Sequence, residues 1–166
     1  MSILPDLLEP DLKVVFCGTA AGDKSAQVGA YYAGPGNAFW IILHQIGLTP
    51  YQLEPQAFRS LVQYGIGLTD LAQHTSGVDY KLNKTDFDIM GFRDKITYFK
   101  PKFLTFNGKR AAQEFYGQRL NVNYGLQPDK LIQSAVFVLP STSGAAQSFW
   151  DETYWFTLAN FLMSLD

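Results

Sequence analysis

The sequence is poor in cysteine: Cys17 is the one thiol in 166 residues. The chain therefore cannot close a disulfide on itself, and cysteine-based zinc clusters and cysteine-ligated iron-sulfur centres are excluded with it. Long apolar runs are lacking too, since none approaches the ~20 residues that a membrane-spanning helix requires. Residues 1–10 have neither the basic start nor the apolar centre of a secretory signal. These absences predict a soluble, cytoplasmic protein with no membrane partner. Also missing is an excess of positive charge: 13 Lys and Arg stand against 15 Asp and Glu, for a formal net charge of -2. Nothing draws nucleic acid to the molecule as a whole, so any grip on phosphate has to be local.

What is present fits one compact domain spanning residues 1–166, with 47% hydrophobic and 17% charged residues. Aromatics reach 15%, and Tyr31, Tyr32, Phe39, Trp40, Phe149 and Trp150 stand close to glycine and proline. Residues 12–17 (LKVVFC) form a β-branched apolar run halted by Gly18, as in a buried parallel strand. A glycine-rich loop is predicted over residues 18–37, followed by a helix up to Gly47. Helical patterns recur at 55–64, 87–99 and 109–116; strand patterns at 65–71, 102–106 and 135–139; a polar loop at 73–84. A last helix is predicted with Ser148 as its cap and Trp150, Phe156, Leu158, Phe161 and Leu162 on its apolar face. Strands alternating with helices predict an α/β fold, a three-layer α/β/α sandwich around a mostly parallel sheet of about four to five strands.

In such sheets ligands bind beyond the carboxyl ends of the strands. Thr19, Asp70, Asn107 and Ser141 each follow or closely trail an apolar strand run, so one cleft is expected to hold them. The Gly18-Thr19-Ala20-Ala21-Gly22 loop has neither the P-loop ending nor dinucleotide-fingerprint spacing. Nucleotide cofactors are disfavoured, and no cofactor or metal is expected.

Residues 12–40 (LKVVFCGTAAGDKSAQVGAYYAGPGNAFW) resemble the first motif of the mismatch-specific uracil/thymine-DNA glycosylase family, within the uracil-DNA glycosylase superfamily. They share a strand ending in Phe-Cys-Gly, a base-pocket loop, a Ser-Ala pair, an aromatic, and Pro-x-Asn-x-Phe-Trp opening a helix. The likeness continues at residues 106–109 (FNGK) and at 139–144 (LPSTSG), and covers roughly residues 10 to 160. It implies a monomeric, monofunctional DNA glycosylase that flips uracil, or another deaminated or mismatched base, out of DNA and releases it free.

One position departs from the pattern: the family's usual catalytic asparagine is here Ala20. A methyl group cannot position water, so Asp70 is the catalytic candidate, stabilising the cationic sugar or activating water. Its alternative role is to cap the following helix. The resemblance implies that Gly18, Thr19, Ala20 and Asn107 meet the base and that Tyr32 stacks on it, with Tyr31 as a substitute. Asn37 either bonds the pocket loop or caps the next helix. Ser141, Thr142, Ser143, Gly144 and Ala145 would lie along the DNA backbone, helped by Lys109 beside Arg110. Where the family carries a wedge for the vacated stack, this chain has Ala145, Ala146 and Gln147, of which only Gln147 is long enough to intrude. His74, four residues after Asp70, is a weaker candidate. Two other functions are compatible with the residues: a weak or inactive binder of damaged or abasic DNA, favoured by Ala20, and a nucleoside hydrolase or deoxyribosyltransferase, favoured by the acidic balance.

Overall fold

Strand β1, Val14–Ala21, sends Val14 and Phe16 into one apolar layer and Val15 and Cys17 into another, and none of the four is exposed. A strand covered on both faces needs this unbroken apolar run. The computed structural model describes residues 2–78, 82–117, 122–128 and 132–165. Its sheet contains β1, β2 (Ile66–Ser76), β3 (Phe103–Asn107), β4 (Gly125–Leu126) and β5 (Ala135–Leu139), in the order β2-β1-β3-β5-β4. All neighbours run parallel except β4, which is antiparallel to β5.

Helices cover both faces. α1 (Asp23–Val28) and α2 (Phe39–Gln45) follow β1, α3 (Ile89–Phe99) precedes β3, α4 (Lys109–Tyr116) follows it, and α5 (Glu152–Met163) closes the chain. On one face Phe16 meets Phe39 of α2 at 5.3 Å and Trp155 of α5 at 5.6 Å between ring centroids. On the other, Phe92 and Ile96 of α3 and Ala111, Ala112 and Phe115 of α4 pack with Val15 and Cys17. Burying each large ring stabilises the fold by roughly 2–3 kcal/mol before entropy is counted, so these two aromatic-rich layers set the domain. The α/β/α architecture is the expected one. Among the described residues no helix is long and apolar enough to cross a membrane.

Several local expectations are corrected. Residues 18–37 are not one loop: β1 continues through Ala21, and α1 follows, with Gly29 in the left-handed conformation at its end (φ 72°). Only Ser25 of α1 is buried, so six residues left no apolar stripe to read. The polar loop expected from residue 73 is the outer part of β2, which pairs Ser76 with Ala21. β2 is the sheet's edge, where polar residues such as Gln73 and His74 are tolerated. Residues Pro55–Tyr64 wind as a 3-10 helix kinked at Ala57. The last helix is capped by Asp151, whose carboxylate accepts the Thr153 amide at 3.0 Å, while Ser148 lies in the 3-10 turn Gly144–Phe149. Its buried face is Trp155, Leu158, Ala159 and Leu162, and Phe156 and Phe161 are exposed. Strand β4 is too short to carry an alternating pattern, and the sequence showed no sign of it.

Candidate active site

Parallel strands end on one edge, and there the loops after β1, β3 and β5 and the middle of β2 enclose a cavity of about 720 Å³. That volume suits a nucleoside-sized ligand. Thr19, Asp70, Asn107 and Ser141 all line it, as do Gly18, Ala20, Tyr32, Asn37, Lys109, Thr142, Ser143, Gly144 and Ala145. Gln147 does not: its amide nitrogen stands 3.6 Å from where a side chain on Gly36 would begin. His74 is exposed on β2 and also lies outside the lining.

Asp70 pairs in register with Gly18 and is only 6% exposed. A Cβ on residue 18 would stand 2.7 Å from Asp70 Oδ1, so glycine is what lets the carboxyl lie against β1. Burial first, then the charge of Asp6, pushes the Asp70 carboxyl up to about 7, with Lys95 opposing. A group so placed exchanges its proton near neutral pH, as a general base must. Behind it, Asp6 accepts from Thr69 Oγ1 at 2.7 Å, Gln73 Nε2 at 3.2 Å and Lys95 Nζ at 2.6 Å. The Asp70 carboxylate itself receives no hydrogen bond among the described residues.

Tyr32 takes a left-handed backbone conformation (φ 54°), which turns its ring onto Phe39 with centroids 4.0 Å apart and planes at 29°. One ring face is therefore occupied by protein. Burial first, then the charge of Asp70, holds the pKa of the Tyr32 hydroxyl well above the usual value, and the neighbouring Asn107 amide opposes the rise. Tyr31 is a core residue whose hydroxyl donates to the Pro5 carbonyl at 2.9 Å. Asn107 grips Thr142 twice, donating to Oγ1 at 2.9 Å and accepting the backbone amide at 3.0 Å. Thr142 in turn accepts the Ala38 amide through its carbonyl at 2.9 Å. Asn37 accepts the Phe39 amide at 3.0 Å, opening α2. These bonds tie the first and last loops into one wall. A Cβ on Gly144 would meet the Pro35 carbonyl at 3.0 Å, so the small residue keeps the loops together.

The rim is polar and aromatic. Ser141 Oγ accepts the Ser143 amide, and Ser143 Oγ accepts the Ala145 amide, at 3.1 and 3.2 Å. Each hydroxyl keeps its own hydrogen to donate. Lys109 Nζ sits 4.4 Å above the Tyr124 ring, and Arg110 bonds Glu114 at 3.0 Å. Two rim residues escaped the sequence reading in this role: Tyr124, and Phe149, which is 69% exposed. An aromatic next to the serine-rich turn was the available signal for Phe149; Tyr124 had none.

With this geometry in view, the sequence profile of the uracil DNA glycosylase superfamily matches residues 5–160. The chain belongs to the uracil DNA glycosylase superfamily. The fold of this superfamily member is also that of a candidate uracil DNA glycosylase from Methanosarcina acetivorans, solved by solution NMR. The TM-score is 0.64 and the identity 23%, over 96% of each chain. Superfamily membership supports a DNA glycosylase role.

Proposed function

We propose that this superfamily member is a monofunctional glycosylase that hydrolyses the N-glycosidic bond of uracil in DNA, within or near the mismatch-specific uracil/thymine branch. The observation that carries the reading is a buried carboxyl, raised to about 7, in the wall of a cavity beyond the strand ends. As the bond between C1′ and the base nitrogen breaks, its electron pair leaves on the base and positive charge grows on the sugar. Asp70 stabilises that charge and takes a proton from the attacking water, whose oxygen bonds to C1′. Water is the nucleophile in this reading, with the Lys109 amine engaged over the Tyr124 ring at the rim. Ser141 and Ser143 donate to the DNA backbone, and exposed Phe149 rather than Gln147 enters the stack left by the flipped base.

The test is incubation with uracil in single- and double-stranded DNA, with alkali revealing abasic sites, for the wild type and Asp70→Asn. The wild type leaves abasic sites and the variant does not; equal cutting by both would falsify the role of Asp70. Ala20, a methyl in the cavity wall, favours a second reading, a binder of abasic DNA without turnover. Tight retention of abasic DNA by a wild type that releases no base would select it.

A further inference from the structure

We propose that the Tyr32 hydroxyl is the hydrogen-bond donor that positions the Asp70 carboxylate once that carboxylate has lost its proton. The inference rests on the glycosylase reading for its catalytic meaning, and on separate geometry for the pairing itself.

Two polar groups in the cavity wall have hydrogen-bonding capacity that the described residues do not use. Tyr32 Oη is buried and donates its hydrogen to no acceptor among the described residues, the Asn107 amide beside it being able only to donate to it. The carboxylate of Asp70, a residue 6% exposed, receives no side-chain donor among the same residues. Both flank one point. A side chain on residue 18 would begin 2.7 Å from Asp70 Oδ1 and 3.5 Å from Tyr32 Oη, and glycine leaves that point empty. The two groups therefore share one gap, which a side chain on residue 18 would fill.

Elimination supports the assignment. The titratable and charged groups facing Asp70 are Asp6 from the N-terminal segment, Lys95 from α3, Cys17 on β1, and Tyr31 and Tyr32 from the loop before α2. Lys95 is spent on Asp6, the Cys17 thiol on the Gly18 carbonyl, and the Tyr31 hydroxyl on the Pro5 carbonyl. The neighbouring amides are engaged as well: Asn107 with Thr142, and Gln73 with Asp6 and the Asp70 carbonyl. Among the titratable groups facing Asp70, Tyr32 is the one whose hydrogen has no acceptor among the described residues, and burial keeps its proton in place. A buried hydroxyl and a buried carboxylate each carry a desolvation penalty alone, and one bond relieves both. When Asp70 is protonated the pair is slack. When it ionises, the bond favours the charged form and aims its free lone pair into the cavity.

Tyr32→Phe is the variant of choice, because it keeps the ring on Phe39 and removes only the hydroxyl. Expected is a drop in kcat of about 10- to 100-fold at pH 6.5 with KM little changed. The acidic limb of the pH-rate profile moves up by about one unit, so the deficit shrinks towards pH 9. A ring acting only by stacking would leave both kcat and the limb at wild-type values, and that result overturns the proposal. The carboxyl titration of Asp70, followed by carbon NMR in wild type and Tyr32→Phe, keeps the test independent of turnover. An unchanged midpoint sinks the pairing even in a fully active enzyme. A raised midpoint in a protein that cuts no DNA leaves the pairing standing and refutes the glycosylase reading instead.

Discussion

Asp6 and Asp70 share neighbours and differ in everything that decides what a carboxylate does. Asp6 is 24% exposed at its side chain and collects three donors, Thr69, Gln73 and Lys95. Asp70, beside the same Thr69 and below the same Gln73, is 6% exposed and collects none from the described residues. A compensated charge serves the fold. An uncompensated buried one works against it, and proteins keep such groups where chemistry needs a proton that moves. The contrast separates the two carboxylates more sharply than either residue's position in the chain.

The largest break in this contrast is Asp70→Asn, expected to lower uracil release by about 10²- to 10⁴-fold in single-turnover assays. Asp6→Asn should leave most of that rate intact; a comparable loss there would erase the distinction. Next comes pH. With the Asp70 carboxyl at about 7, the wild-type rate should fall about tenfold per unit below that point and level off above it.

The same group sets a stability slope. Its folded pKa, about 7, is raised above the ~3.9 of an unfolded chain. Its contribution to stability is therefore fully present below the unfolded value and is lost as pH rises through the folded one, by at most ~4 kcal/mol. Urea titrations should show Asp70→Asn gaining stability over the wild type at pH 8 and losing that advantage near pH 4. A pH-independent difference would mean that the side chain is not desolvated.

The smallest effects concern the pair behind the site. Lys95→Met removes the charge that holds Asp70 down, so the acidic limb should move up, whereas Asp6→Asn should move it down. Because both partners are about a quarter exposed, solvent screens the ion pair, and its loss should cost only ~1 kcal/mol in a urea titration. Limbs that shift in the same direction for both variants would contradict the electrostatic account.

The layers were legible in the sequence because buried strands and amphipathic helices repeat along the chain. Val14 to Cys17 read as a covered strand, and Phe39 with Trp40 as a helix face, with no knowledge of what they touch. Short elements were not legible. α1 is too brief to show a stripe, β4 is two residues long, and the outer half of β2 looked like loop because an edge strand tolerates polar residues. The cavity residues were found because each stands where an apolar strand run stops. Tyr124 stayed hidden, for its place beneath Lys109 comes from a packing contact 15 residues away in sequence.

Residue order by itself determined the alternating α/β plan and the set of polar groups delivered to one edge of the sheet, because periodicity and strand ends are local properties. Tertiary structure alone decided which carboxyl is deprived of partners, which tyrosine hydroxyl is left to serve it, and why residue 18 has no side chain between them. Desolvation and unpaired hydrogen-bonding capacity depend on what surrounds a group in space, and no spacing along a chain encodes that directly.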